Sequence, residues 1–165
     1  SISFLLGSIM TGLSQDKSGI RFIENKGQLP SQVDFKLSLN AGDIYLEGNK
    51  TTFSVYDKSQ YADYKHGKTT DSIIEGHNYS IHWIGASETP NITAEDPGKN
   101  YTNYFLGNDP SKWASNVRDY EGVWYENLYD HIDLHYYGFY NQLKYDLVVH
   151  PYGDVTNIQI KYNDV

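Results

Sequence analysis

Between Ile132 and His150 the chain alternates apolar and polar residues in two successive runs, and that alternation limits its fold more than any other feature. Ile132, Leu134 and Tyr136 are interleaved with Asp133, His135 and Tyr137. Leu143, Tyr145, Leu147 and Val149 are interleaved with Lys144, Asp146, Val148 and His150. A period of two over two runs, joined by a short segment with Gly and Asn, predicts a β-hairpin with one wet face. Folding it about Gly138–Asn141 predicts Tyr136 opposite Leu143, Leu134 opposite Tyr145 and Ile132 opposite Leu147. All six apolar side chains then share one face.

The rest of the chain repeats the pattern in shorter pieces. Ile20–Glu24 is a short apolar run that ends in Asn25-Lys26-Gly27. Val33–Leu39, Ile44–Glu47 and Thr51–Tyr56 are separated by Gly-containing turns and read as a three-stranded meander. Asp57–Glu75 has no apolar period and reads as a long solvated loop. His77–Ile84 alternates again, with Tyr79, Ile81 and Trp83 on one face. Weaker strands follow at Ile92–Glu95 and Tyr101–Leu106, then a turn at Gly107–Trp113 that opens one helical turn. Val123–Asn127 leads into the hairpin, and Ile158, Ile160 and Tyr162 form a last strand. Roughly eight to ten short strands with little helix predict an all-β, antiparallel sandwich-like domain.

Composition agrees. Of the 165 residues 15% are aromatic and 16 are Tyr, a residue suited to half-buried pleated surfaces. The formal charge of −8, with no basic run, disfavours nucleic acid and anionic membranes as partners. No cysteine is present, which removes disulfides, thiol nucleophiles and Cys-ligated metals.

The first 14 residues are uncharged and hold the apolar run Ile2–Met10, with Gly12 and Ser14 placed as the small residues before a cleavage at Gln15. This fits the core and cleavage region of a secretory signal peptide whose basic start is missing. The expectation is a leader at 1–14, a folded module at 15–165, and no membrane insertion once the leader is removed.

Several segments stand in a familiar order. They are Phe22-Ile23-Glu24-Asn25-Lys26-Gly27-Gln28, Tyr104–Trp113 with its Leu-Gly-Asn-Asp-Pro-Ser-Lys-Trp run, Leu128-Tyr129 with Ile132-Asp133-Leu134, and Gln142–Asp146 with His150-Pro151. Together they resemble the uncharacterised N-terminal domain of large secreted surface proteins of Bacteroidota type. Such proteins often carry SBBP β-propeller-type repeats, PKD-like modules and a C-terminal sorting domain for type IX secretion or gliding machinery. The resemblance spans roughly Ile20 to Tyr162. It implies a β-rich module at the outer cell surface, partnered by downstream domains of the same polypeptide. It carries no catalytic residues, and His131 and His135 lie outside its pattern.

Four groups of residues bear on chemistry. His131, Asp133 and His135 share one strand face at steps of roughly 6.6 Å. The expected register sets Asp146 opposite Asp133 and Lys144 opposite His135, so His131, Asp133, His135 and Asp146 are the candidate metal set, against a solvated sheet face screened by water and Lys144. Asn108, Asp109 and Ser111 suit either a calcium loop or a turn capped by its own side chains. Trp113, Trp124, Tyr125, Tyr137, Phe139 and Tyr140 are candidates for stacking on sugar rings. Of these Trp113, Tyr137, Phe139 and Tyr140 are the ligand-binding candidates, and packing is the competing role. Asp71-Ser72-Ile73 resembles the O-glycosylation sequon of exported Bacteroidota proteins.

No nucleophile elbow, phosphate loop or His-Glu-x-x-His motif occurs, so an enzyme is not expected. The expectation is a structural or adhesion-type module. The alternatives are a carbohydrate-binding module, with surface glycans as partners, and a calcium-stabilised adhesion domain.

Overall fold

The computed structural model describes residues 19–39, 42–68, 75–105 and 107–164. The leader-like stretch and Asp71-Ser72-Ile73 lie outside the described residues. Thirteen strands are present among those described. They are Phe22–Glu24 (β1), Phe35–Leu39 (β2), Gly42–Glu47 (β3), Lys50–Tyr56 (β4), Gly76–Ile84 (β5), Asn91–Glu95 (β6), Thr102–Tyr104 (β7), Ala114–Val117 (β8), Asp119–Tyr120 (β9), Gly122–Tyr129 (β10), Ile132–Phe139 (β11), Gln142–Val149 (β12) and Gln159–Asn163 (β13). The expected meander and hairpin are all found; β8 and β9 are additional. The stretch after β4 is not wholly loop, because Lys58–Lys65 forms one helix, α1. Asp57 caps it, accepting the Ser59 N–H at 2.8 Å.

The strands pair antiparallel in a seven-stranded sheet, β13-β5-β4-β3-β2-β1-β9, and a four-stranded sheet, β12-β11-β10-β6. β7 and β8 make a separate ribbon. The inward rows of the two large sheets face one another, which makes the domain the expected all-β sandwich. The core joins Phe22, Leu37, Leu46 and Trp83 of the large sheet to Val123, Tyr125, Leu128, Ile132, Leu134 and Tyr136 of the small one, all essentially inaccessible. Burial at about 25 cal/mol per Å² makes this interface the main source of stability.

The buried rings also carry the polar ties between sheets. The Tyr136 hydroxyl lies 2.6 Å from Thr51 Oγ1 and accepts the Trp83 indole N–H at 3.4 Å. The Tyr129 hydroxyl donates to the Ile84 and Gln159 carbonyls, at 3.2 and 3.3 Å. No buried side-chain nitrogen or oxygen lacks a partner among the described residues. That satisfaction is what makes large aromatic residues with polar tips acceptable in a core.

The sandwich is closed at one side and open at the other. At the closed side β9 of the large sheet runs through Glu121 directly into β10 of the small sheet. Arg21 pins this corner, donating to Asp119 Oδ1 at 2.6 Å and Glu121 Oε1 at 2.7 Å. At the open side β12 and β13 are edge strands of different sheets and do not pair.

The hairpin forms, but its register differs from the expected one by two residues. Tyr136 faces Tyr145, Leu134 faces Leu147 and Ile132 faces Val149, around a two-residue turn at Tyr140-Asn141. Both turn residues have positive φ, 46° and 61°, the primed geometry that matches strand twist. A shift of two preserves which side chains share a face, so the apolar row stays inward. Tyr145, on the edge strand, remains 40% exposed.

Candidate functional site

The corrected register separates the residues of the candidate metal set. Asp146 lies opposite His135, Lys144 opposite Tyr137, and Asp133 opposite Val148. Asp133 and Asp146 therefore do not face one another. His131 is not in the strand; it occupies the preceding turn at φ 58°, with its Nε2 3.8 Å from Asp130. Asp133 instead accepts the Asn127 N–H at 2.7 Å, bracing an irregularity in β10, and its other oxygen lies 2.7 Å from His150 Nε2. Among the described residues, no three His, Asp or Glu side chains converge as a metal set.

His135 belongs to another cluster, on the outward face of the small sheet. The registers line up Thr93, Trp124, His135 and Asp146 in one row and Glu95, Gly122, Tyr137 and Lys144 in the next. The Trp124 and His135 rings stack at 3.9 Å and 3°, and Tyr137 leans on His135 at 5.1 Å. Glu95 bridges the pair, with Oε1 2.9 Å from His135 Nε2 and Oε2 accepting the Trp124 indole N–H at 3.0 Å. Gly122 makes this possible, because a Cβ there would meet the Glu95 carboxylate and sit 2.9 Å from His135 Nε2. Burial, then the Asp146 carboxylate, pushes the Tyr137 hydroxyl above its ordinary pKa. These rings use their faces on one another, so the cluster presents edges rather than a flat stacking platform.

Asp109 accepts the Ser111 N–H at 3.1 Å and its hydroxyl at 2.7 Å, capping the short 3-10 turn Pro110–Lys112. This geometry is that of the capped turn. Trp113 packs edge-on against Phe105 at 5.7 Å and donates its indole N–H to the Gly107 carbonyl at 3.3 Å.

The hairpin tip presents its rings differently. Phe139 and Tyr140 contact one another edge to face at 4.4 Å and are 53% and 69% exposed. Beside them the end of the sandwich opens into a cavity of about 320 Å³ lined by Leu39, Ile44, Phe53, Val55, Tyr79 and Leu143, among others. Phe53 and Tyr79 stack on one another there at 4.6 Å and 1°, so this pair adds apolar ring edges to the lining. Displayed aromatic rings next to an apolar recess suit a ligand with an apolar face. This tip and mouth are the candidate site, built from β3, β4, β5, the end of β2, the start of β12 and the β11–β12 turn.

Sequence reasoning finds Phe139 and Tyr140 but misses the mouth, whose walls come from strands distant in sequence. It also misses Tyr152, 93% exposed at φ 76° in the turn that follows β12. Pro151 ahead of it is the available signal, because Pro at the second position is shared by type II turns, whose third residue takes a positive φ as Tyr152 does here. A third feature sits at the other end of the meander, where Asp34 accepts the Gly48 N–H at 2.8 Å and the Tyr125 hydroxyl at 3.3 Å. Burial, reinforced by Glu47, holds the Asp34 carboxyl above its usual range despite those bonds.

Fold and site together define an antiparallel β-sandwich domain with an aromatic tip. The chain belongs to a family known as a domain of unknown function, DUF7948, whose model matches residues 22–165. No curated protein and no solved structure matches it.

Proposed function

We propose that this chain is a non-catalytic interaction module, of adhesion type, in an exported bacterial cell-surface protein, mounted ahead of further domains of the same polypeptide. One observation carries the non-catalytic reading: the ion pairs among the described residues that involve buried or half-buried groups tie the strands of the sheets together rather than converging on one cavity. Arg21 holds Asp119 and Glu121, Lys36 holds Asp43, Lys50 holds Glu47, Glu95 holds His135, and Asp133 holds His150. The two most exposed large apolar side chains, Tyr140 and Tyr152, are rings on turns, a placement that favours contact. The surface context rests on the Bacteroidota-type motif order and the leader-like first 14 residues. On this proposal the mature module lies outside the cell after cleavage before Gln15.

A second reading, carbohydrate binding, is favoured by Phe139, Tyr140 and the recess beside them. Glycan-array binding of the purified chain, run beside Tyr140→Ala, separates the two. The structural reading expects no glycan whose capture depends on Tyr140. A glycan bound by the wild type and lost in the variant establishes the second reading in its place. Surface labelling of intact cells tests export, and a purely intracellular signal removes the surface role.

A further inference from the structure

We infer that the free edge of β12 is a self-pairing interface, on which two copies of this chain join antiparallel about a two-fold axis at Tyr145. Four strands end the two large sheets, and β12 is the longest of them. β9 has two residues, β6 has five between Pro90 and Pro97, and β13 has five. β12 has eight residues, no Pro or Gly, and an uninterrupted register with β11. Shortness, proline, bulges and edge charges are the usual protections of a sheet edge; β12 has only the last, as Lys144 two residues from the opposite charge of Asp146.

The backbone is set for pairing. The residues that flank a two-residue hairpin turn exchange hydrogen bonds, so Gln142, Lys144, Asp146 and Val148 aim their amides at β11. Leu143, Tyr145, Leu147 and Val149 then aim theirs outward, where no strand among the described residues meets them. A two-fold axis at Tyr145 makes these the bonded positions of a new ladder.

The side chains select the same axis. It sets Lys144 opposite the partner's Asp146 and Asp146 opposite the partner's Lys144, two opposite-charge pairs on the outward face. On the inward face Leu143 meets the partner's Leu147, and Tyr145 meets the partner's Tyr145. β12 carries one Lys and one Asp in a chain of net −8, so copies meet there without the repulsion an acidic face would bring. The corresponding axis on β13, at its central Lys161, would oppose two ammonium groups. Joined through β12, the two small sheets become one of eight strands, with the Phe139–Tyr140 tips pointing in opposite directions.

Sedimentation velocity of the full chain from micromolar to millimolar concentration tests the interface. A monomer–dimer equilibrium is expected. Lys144→Asp or Asp146→Lys alone should weaken it roughly tenfold or more, since each turns two attractions into two repulsions. The double variant Lys144→Asp/Asp146→Lys should regain the wild-type constant, because the exchange keeps every pair opposite in sign. Hydrogen exchange at Leu143, Tyr145 and Leu147 should slow as the dimer fills. Both positions are exposed, and far-UV circular dichroism with a thermal transition checks each fold; should Asp146→Lys lose its fold, Lys144→Asp carries the single-reversal arm. A chain monomeric at millimolar concentration, a dimer indifferent to single reversal, a double variant that stays weak, or unchanged exchange at the three amides overturns the proposal.

Discussion

Tyr140 sits in the left-handed region at φ 46°, on a turn position where Asn is far more comfortable, and most of its ring faces water. A bulky residue is held there at a cost of about 1 kcal/mol or more, and the interaction role proposed above would give that cost a purpose. Tyr140→Asn should therefore raise the thermal midpoint by a few degrees while removing whatever the tip binds. Calorimetry beside a binding assay reads both; a variant less stable than wild type shows the ring is structural. Asp43 is the opposite case, a buried carboxyl with a fixed task. Burial pushes it up, yet hydrogen bonds from Ser38 and Tyr56, at 2.6 and 2.7 Å, and the Lys36 ammonium at 2.9 Å together hold it down at about 2. A depressed carboxyl contributes stability above its unfolded pKa and loses it as pH falls through the folded value. Asp43→Asn should thus cost about 2 kcal/mol at neutral pH, and the gap should close between pH 4 and pH 2 in denaturant titrations.

Among elements, the β3–β4 hairpin has the least room. Gly42 lies at φ 141°, and a Cβ there would fall on the Ser54 carbonyl and 2.9 Å from Val55 Cα, both backbone of β4. Backbone cannot swing aside, so Gly42→Ala should destabilise by roughly 3 kcal/mol or more, and a loss under 1 kcal/mol in urea unfolding would show that the strands separate easily. The strands themselves were legible because a half-buried strand writes its period into the chain. The hairpin register was not, since a slip of two residues leaves every side chain on its face and only the turn decides. Tyr140-Asn141 lacks the Asn-Gly signature that would have announced a two-residue turn. Helix α1 was hidden because it has no apolar stripe, and β9 because two residues carry no period. The His135 cluster was illegible for a different reason: its organising carboxylate, Glu95, comes from a strand 40 residues earlier.

At the scale of the molecule, two sheets are joined covalently at one side and, across the interior, by packing and tyrosine hydroxyls, and this makes high pH the condition that should part them. Burial pushes the Tyr136 hydroxyl up to about 12, the bonds with Thr51 and Trp83 notwithstanding. Burial and the neighbouring Asp34 carboxylate drive Tyr125 well above the ordinary value of 10.0. A raised acid is neutral in the fold and ionises more readily once unfolded. Its contribution is complete below pH 10 and disappears as pH rises through the folded value. Tyr136 alone then removes about 2–3 kcal/mol between pH 10 and pH 12, and Tyr125 adds to the fall. Tyr136→Phe should start about 1–2 kcal/mol below wild type at neutral pH, because it leaves the buried Thr51 hydroxyl unpaired. It should then decline less steeply, so that the two denaturation curves meet at about pH 11, with phenolate absorbance rising as the wild type unfolds. A gap that stays constant across the alkaline range would mean that the inter-sheet hydroxyls ionise as freely as in the open chain, and that the sheets are not sealed around them.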